Sequence, residues 1–171
     1  MTKEVLGIPF FQGTLKKACD SARKGGLVVA PSGPGMAQDL LGTKGYAVAL
    51  KGADLILLDS GLIALWSRFF FKETLFRLSG LLFLNTYLDQ TDWKNEKSFW
   101  IMPDKIQAYG MLKWLQEKYG TLIDDDCIYI APRYSENGSI VDENLFHHII
   151  TTKPDNVIIQ LGGGVQERLG Y

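Results

Sequence analysis

The chain has 171 residues, 46% of them hydrophobic and 22% charged, with a formal net charge of -1. That length suits one domain, 1–171, with a sizeable core, and the balance excludes a disordered or collagen-like chain. Near-neutral charge gives no global pull toward nucleic acid, so no nucleic-acid partner is expected.

Residues Met1 to Gly7 lack the apolar core of a secretory signal, and Cys19 and Cys127 are the only cysteines. Two sparse thiols read as buried and reduced, which points to the cytoplasm. Neither is expected to hold a metal, because no His, Cys or carboxylate cluster lies at ligand spacing around them.

Taken in chain order, a helix is predicted over 14–23, after Gly13 and with Thr14 as N-cap. Five short apolar runs follow, at 27–30, 54–58, 98–102, 127–130 and 156–161. Their hydrophobicity is continuous rather than alternating, which suggests strands covered on both faces, as in a parallel sheet. Helical stretches separate them. In 104–119, Ile106, Tyr109, Leu112, Leu115 and Tyr119 recur at helical spacing and predict the buried face, with Gly120 as a C-terminal stop. A further amphipathic helix spans 142–152 and is closed by Pro154. Alternating strand and helix predict an α/β, Rossmann-like fold: a mostly parallel sheet with helices on both faces.

Ligands of such sheets sit beyond the carboxyl ends of the strands, so each strand end carries its own candidates. After the first comes Pro31-Ser32-Gly33-Pro34-Gly35, where small residues let a ligand approach the backbone; a plain turn explains it equally well. After the second comes Asp59-Ser60-Gly61. Asp59 is well placed as a general base, although spacing alone favours it as the N-cap of a helix over 61–70. After the fifth come Gly162, Gly163, Gly164, Val165, Gln166 and Glu167. Successive free N–H groups there would suit a diphosphate, and a tight turn accounts for the glycines nearly as well. The spacing fits neither a dinucleotide fingerprint nor a P-loop.

The most apolar stretch is 61–88, too broken by Arg68, Lys72, Glu73 and Arg77 to cross a membrane. Its aromatic and leucine residues exceed what one helix face of a small domain buries. Mixed with cations they suit a membrane interface; a core helix pair or a homo-oligomer contact accounts for them as well. His147 and His148, adjacent on one helix, and the run Asp124-Asp125-Asp126 read as surface.

Together these segments resemble the WecG/TagA/CpsF glycosyltransferase family over nearly the whole chain. Leu6-Gly7-Ile8-Pro9-Phe10 is similar to the family's opening segment, and Ala53 through Gly61 to its A-D-L-V-L-P-D-G stretch. Arg77-Leu78-Ser79-Gly80 resembles R-V-x-G. Lys153-Pro154-Asp155 through Gly164, then Gln166-Glu167, resembles K-P-D-hydrophobic-G-x-G followed by K-Q-E. The resemblance implies transfer of an N-acetylmannosamine-type sugar from a UDP-sugar donor to a polyprenyl-diphosphate-linked acceptor, at the inner face of the cell membrane. It also implies inversion, with no metal and no cofactor. Asp59 matches the aspartate proposed as catalytic base, Arg77 and Gly80 a pocket-lining motif, and Gln166 and Glu167 a motif near the donor.

The chain departs from the pattern at Ala30-Pro31-Ser32-Gly33-Pro34, where the family has T-x-N-P-E. It departs again at Leu82, where an acid is usual, and at Val165, where a base is usual. The family's last strand and C-terminal appendage are not matched, so an incomplete core is expected. These departures favour an alternative, a nucleotide-sugar-binding or interaction module that has lost its chemistry.

Overall fold

The computed structural model describes residues 2–31, 44–70, 75–135 and 138–171. β1 (Thr2–Val5) and β2 (Ile8–Phe11) form an antiparallel hairpin, turned through Leu6 and Gly7 at positive φ. α1 (Leu15–Ala22) follows, and its N-cap Thr14 accepts a hydrogen bond from the Lys17 amide, as a threonine before an amphipathic run predicts. β3 (Val28–Val29) and β4 (Leu55–Ile56) pair in parallel, with α2 (Lys44–Gly52) between them in sequence. The pairing outlasts these short strands, since Leu57 donates to the Val29 carbonyl at 2.8 Å.

α3 (Gly61–Phe70) and α4 (Gly80–Asp89) lead to a second parallel sheet. Its central strand is β5 (Ser98–Met102), flanked by β6 (Ile128–Ile130) and β7 (Asn156–Ile159). Trp100 pairs with Ile128 on one side and Ile158 on the other. α5 (Lys105–Tyr119) and α6 (Glu143–Thr152) are the crossovers, and α7 (Val165–Gly170) follows β7.

β5 and β4 are covered on both faces, as their continuous apolar runs require, whereas β7 leaves Val157 exposed. Along β5, Trp100 and Met102 pack with Ala108, Met111 and Leu115 of α5. The alternate residues Phe99 and Ile101 pack with Cys127 and with Leu145 of α6. Every residue of β5 is buried, and each large side chain stabilises the fold by about 1.5–3 kcal/mol through removal from water. Likewise Leu55 and Leu57 meet Ala18 and Cys19 of α1, while Ile56 and Leu58 meet Tyr46 and Leu50 of α2. The fold is therefore α/β and Rossmann-like, with the parallel pairing divided between two small sheets. α7 bridges them: a β-carbon on Gly170 would lie 2.9 Å from Leu27 and 3.3 Å from Ile159.

The periodicity of α5 misidentified part of its inner face. Ile106 and Tyr109 are exposed, and the buried stripe is Ala108, Met111 and Leu115. Two apolar stripes at helical spacing compete on this helix, and the smaller Ala108 and the unbranched Met111 fill the space over Trp100. Gly120 ends the helix as expected, at φ 67° with its amide donating to Gln116.

Candidate active site

The carboxyl end of β4 delivers Asp59 and Ser60 just before α3. Ser60 caps that helix: its buried hydroxyl accepts from the Ile63 amide at 3.3 Å. The expectation that Asp59 is the cap is thereby corrected, because Ser60 sits one residue closer to the first helical turn. The Asp59 carboxylate turns instead to Arg77, which reaches back from the segment before α4. Arg77 Nε donates to the Asp59 carbonyl at 2.8 Å, and Nη2 to its Oδ1 at 3.3 Å. The arginine side chain keeps 56% of its surface exposed and Asp59 20%, so the pair opens to solvent.

Gly80 completes this cluster. A β-carbon there would lie 2.7 Å from that of Ala30, at the end of β3, and 3.3 Å from Asp59 Oδ2. Only glycine lets the start of α4, capped by Ser79, come this close to the carboxylate. Three of the sequence candidates, Asp59, Arg77 and Gly80, are thus in one place. Ser32 lies outside the described residues.

The remaining candidates form a second cluster at the carboxyl end of β7. The Gly162 carbonyl accepts from the amides of Val165 and Gln166. Gly164 adopts φ 81°, a conformation that favours glycine. Its N–H donates to Glu167 Oε2 at 2.7 Å, and its carbonyl accepts from Arg168 Nε at 2.9 Å. Gln166 Nε2 donates to the other oxygen of the Glu167 carboxylate at 3.3 Å. The expected row of free N–H groups over 162–164 is therefore shortened: the Gly164 amide is taken, and the buried Glu167 is its acceptor. Gly162 and Gly163 are exposed, with no atom within 4 Å of a β-carbon built on either. That space leaves their backbone approachable.

Sequence reasoning missed two groups that shape this edge. Buried Arg168 binds three carbonyls, those of Gly164, of Gly138 at 2.9 Å and of Ser135 at 2.8 Å. Its spacing, four residues past Gly164 on a short helix, was the available signal. Asp142 caps α6 through Leu145 and also accepts from the hydroxyls of Tyr129 at 2.9 Å and Tyr134 at 2.6 Å. An aspartate before an amphipathic run was legible as a cap; the tyrosines come to it only through the fold.

An apolar surface adjoins the first cluster along the chain. On α3, Leu62, Leu65 and Phe69 are exposed at helical spacing, while Ile63 and Ser67 turn inward. Phe76, next to Arg77, and Leu81 and Leu82, next to Gly80, are exposed as well. Phe71, Lys72, Glu73 and the side chains of Trp66 and Phe70 lie outside the described residues. Among the described residues, no helix is long and apolar enough to cross a membrane. A cavity of about 200 Å³, lined in part by Trp93, Ser98 and Cys127, opens at the amino end of β5, whereas sheets of this kind bind ligands at carboxyl ends.

Among known families, the model of the Glycosyl transferase WecG/TagA/CpsF family matches residues 3–171. No curated protein matches the chain.

Proposed function

The chain belongs to the Glycosyl transferase WecG/TagA/CpsF family, and on that premise we propose that it moves an N-acetylmannosamine-type sugar from UDP to a polyprenyl-diphosphate-linked acceptor, with inversion and without a metal. The family makes it a glycosyltransferase of cell-surface polysaccharide synthesis that takes a nucleotide-sugar donor and a lipid-linked acceptor.

In this reading the acceptor hydroxyl oxygen attacks the anomeric carbon while the bond from that carbon to the diphosphate breaks. Asp59 takes the hydroxyl proton, a role that contributes about 10²–10⁴-fold. The departing UDP keeps the electron pair. Arg77, its side chain 56% exposed, turns toward the β-phosphate as the donor enters, and the approachable backbone of Gly162 and Gly163 faces the diphosphate. Fixed donors aimed at developing charge usually lower the barrier more than the proton transfer does. Gly164, Gln166 and Glu167 act by holding that loop in shape. The exposed apolar residues beside Arg77 and Gly80 rest against the bilayer surface, where a lipid-linked acceptor is presented.

The observation that carries the reading is the contact between Arg77 and Asp59 at the end of β4, with Gly80 packed against both Ala30 and the carboxylate. The test is UDP calorimetry together with turnover of a UDP-sugar, on wild type and Asp59→Asn. A second reading, a nucleotide-sugar-binding module without chemistry, is favoured by Leu82, which puts an exposed apolar side chain where the family usually carries an acid. UDP binding with no turnover in the wild type would select it.

A further inference from the structure

We infer that Gln12 is a positioning residue for the donor site, acting through Arg77; the inference rests on the proposed role of Arg77 in binding the diphosphate. Gln12 lies between β2 and α1, far from Arg77 in sequence. Its Oε1 accepts the Phe76 amide at 2.9 Å, and its Nε2 donates to the Phe11 carbonyl at 2.9 Å. An amide proton on one side and a carbonyl on the other fix which way the side-chain amide points. On the far side of Arg77, the Leu78 amide donates to the Leu58 carbonyl at 2.9 Å. The N–H groups of both neighbours of Arg77 are therefore tied, that of Leu78 to the Leu58 carbonyl just past β4 and that of Phe76 to Gln12.

The anchor is itself held. The Phe11 ring lies where a β-carbon on Gly13 would come within 2.6 Å, and Thr14 caps α1 directly afterwards. Phe76 adds little grip of its own, since its side chain is 65% exposed, and the nearest burial before Arg77 is Leu75. The hairpin of β1 and β2 joins neither parallel ladder; it packs in the core with Leu58 and Leu75, and Gln12, directly after it, adds a side-chain hydrogen bond to the residue before Arg77. Releasing it lets the 75–78 segment shift, and a guanidinium displaced by about an ångström loses much of its hold on a transition state.

The test compares Gln12→Met, which keeps the shape and loses the acceptor, with Gln12→Glu, which keeps an acceptor for Phe76. Each is made in wild type and in Arg77→Ala, and UDP affinity by calorimetry and kcat/KM with the UDP-sugar are read. Gln12→Met is expected to weaken UDP binding about fivefold to tenfold, the scale of one lost hydrogen bond, and to lower kcat/KM further. Gln12→Glu should recover most of both. In the Arg77→Ala background the Met substitution should change neither. If its effect persists undiminished there, or is absent in wild type while Arg77→Ala does weaken UDP, the positioning role is wrong. If Arg77→Ala leaves UDP affinity intact, the reading of Arg77 fails first and takes this one with it. Should the Met variant not fold, Gln12→Asn, one methylene too short to reach Phe76, replaces it in the same cycle.

Discussion

Arg77 grips Asp59 at two points, its Nε on the main-chain carbonyl at 2.8 Å and its Nη2 on carboxylate Oδ1 at 3.3 Å. The main-chain contact holds the arginine at the end of β4 whatever the carboxylate does. The side-chain contact can then be exchanged when a donor enters, so one arginine can serve both the resting carboxylate and an arriving diphosphate.

Asp59→Asn should therefore cut transfer by at least about 10²-fold while UDP affinity stays within about twofold of wild type. The amide still offers an oxygen to Arg77 but cannot take the acceptor proton. Thermal melting should barely move, because Ser60 and not Asp59 caps α3. A variant with most of its turnover intact would remove Asp59 from the base role.

Ser60→Ala is the complementary experiment. Losing the hydroxyl that accepts from Ile63 should cost about 1 kcal/mol of stability, read as a lower denaturant midpoint. UDP affinity in the folded variant should be unchanged. An equal loss of stability in Asp59→Asn would return the cap to Asp59.

This pair marks where sequence reading stops. The strands were legible because β5 and β4 are buried on both faces, which forces an unbroken apolar run such as Phe99 to Met102. Asp59 and Gly61 were legible as the end of such a strand. The choice between Asp59 and Ser60 as the cap was not, since both are good caps and one residue of register separates them. Nor was the use of Glu167, because a carboxylate that closes on its own helix N-terminus reads the same as one that faces a ligand. The Arg77 partnership and the Gln12 anchor join residues far apart in sequence, and no local pattern reports such contacts.

The glycines of the β7 loop should separate by role. Gly164→Ala forces a side chain into φ 81° and should cost about 1–2 kcal/mol of stability. Gly163→Val meets open space and should fold normally, yet weaken UDP binding by more than about 1 kcal/mol if the diphosphate approaches that backbone. Unchanged UDP affinity in folded Gly163→Val would take the loop out of the donor site.

The Asp142 cluster gives the protein a pH signature. Burial, then the hydrogen bond to Asp142, pushes Tyr129 up to about 12, and the same causes raise Tyr134 further. A tyrosine raised on folding stabilises the protein fully below its unfolded value of about 10. That contribution is lost as pH rises through the folded value. Asp142 runs the other way: burial pushes it up, but hydrogen bonds from Tyr134, the Leu145 amide and Tyr129 outweigh this and hold it low. Its contribution is lost as pH falls below the ordinary carboxylate range. In an ultraviolet titration of the seven tyrosines, Tyr129 and Tyr134 should ionise late, alongside upward shifts that burial gives Tyr87 and Tyr119, and Tyr129→Phe with Tyr134→Phe should shrink the late phase by two ionisations. All seven ionising together near pH 10, in protein that is still folded, would mean that the cluster does not hold.

The apolar surface beside the site gives the last prediction. Phe69 is 74% exposed on α3 and Leu81 is 68% exposed on α4, and Leu81 directly follows the 75–80 segment that carries Arg77 and Gly80. Neither packs in the core, so Phe69→Ser with Leu81→Ser should leave the melting temperature and the elution volume unchanged. Complete burial of a phenylalanine or leucine side chain is worth about 1.5–3 kcal/mol, and a bilayer interface recovers part of that for each. The double variant should therefore lose about tenfold or more in binding to anionic phosphatidylglycerol vesicles. Arg68, exposed on the same helix, should make wild-type binding weaker on neutral vesicles and at high salt. A change in elution volume without a change in vesicle binding would assign this surface to a contact between copies of the chain. The acceptor would then have to reach Asp59 by another route.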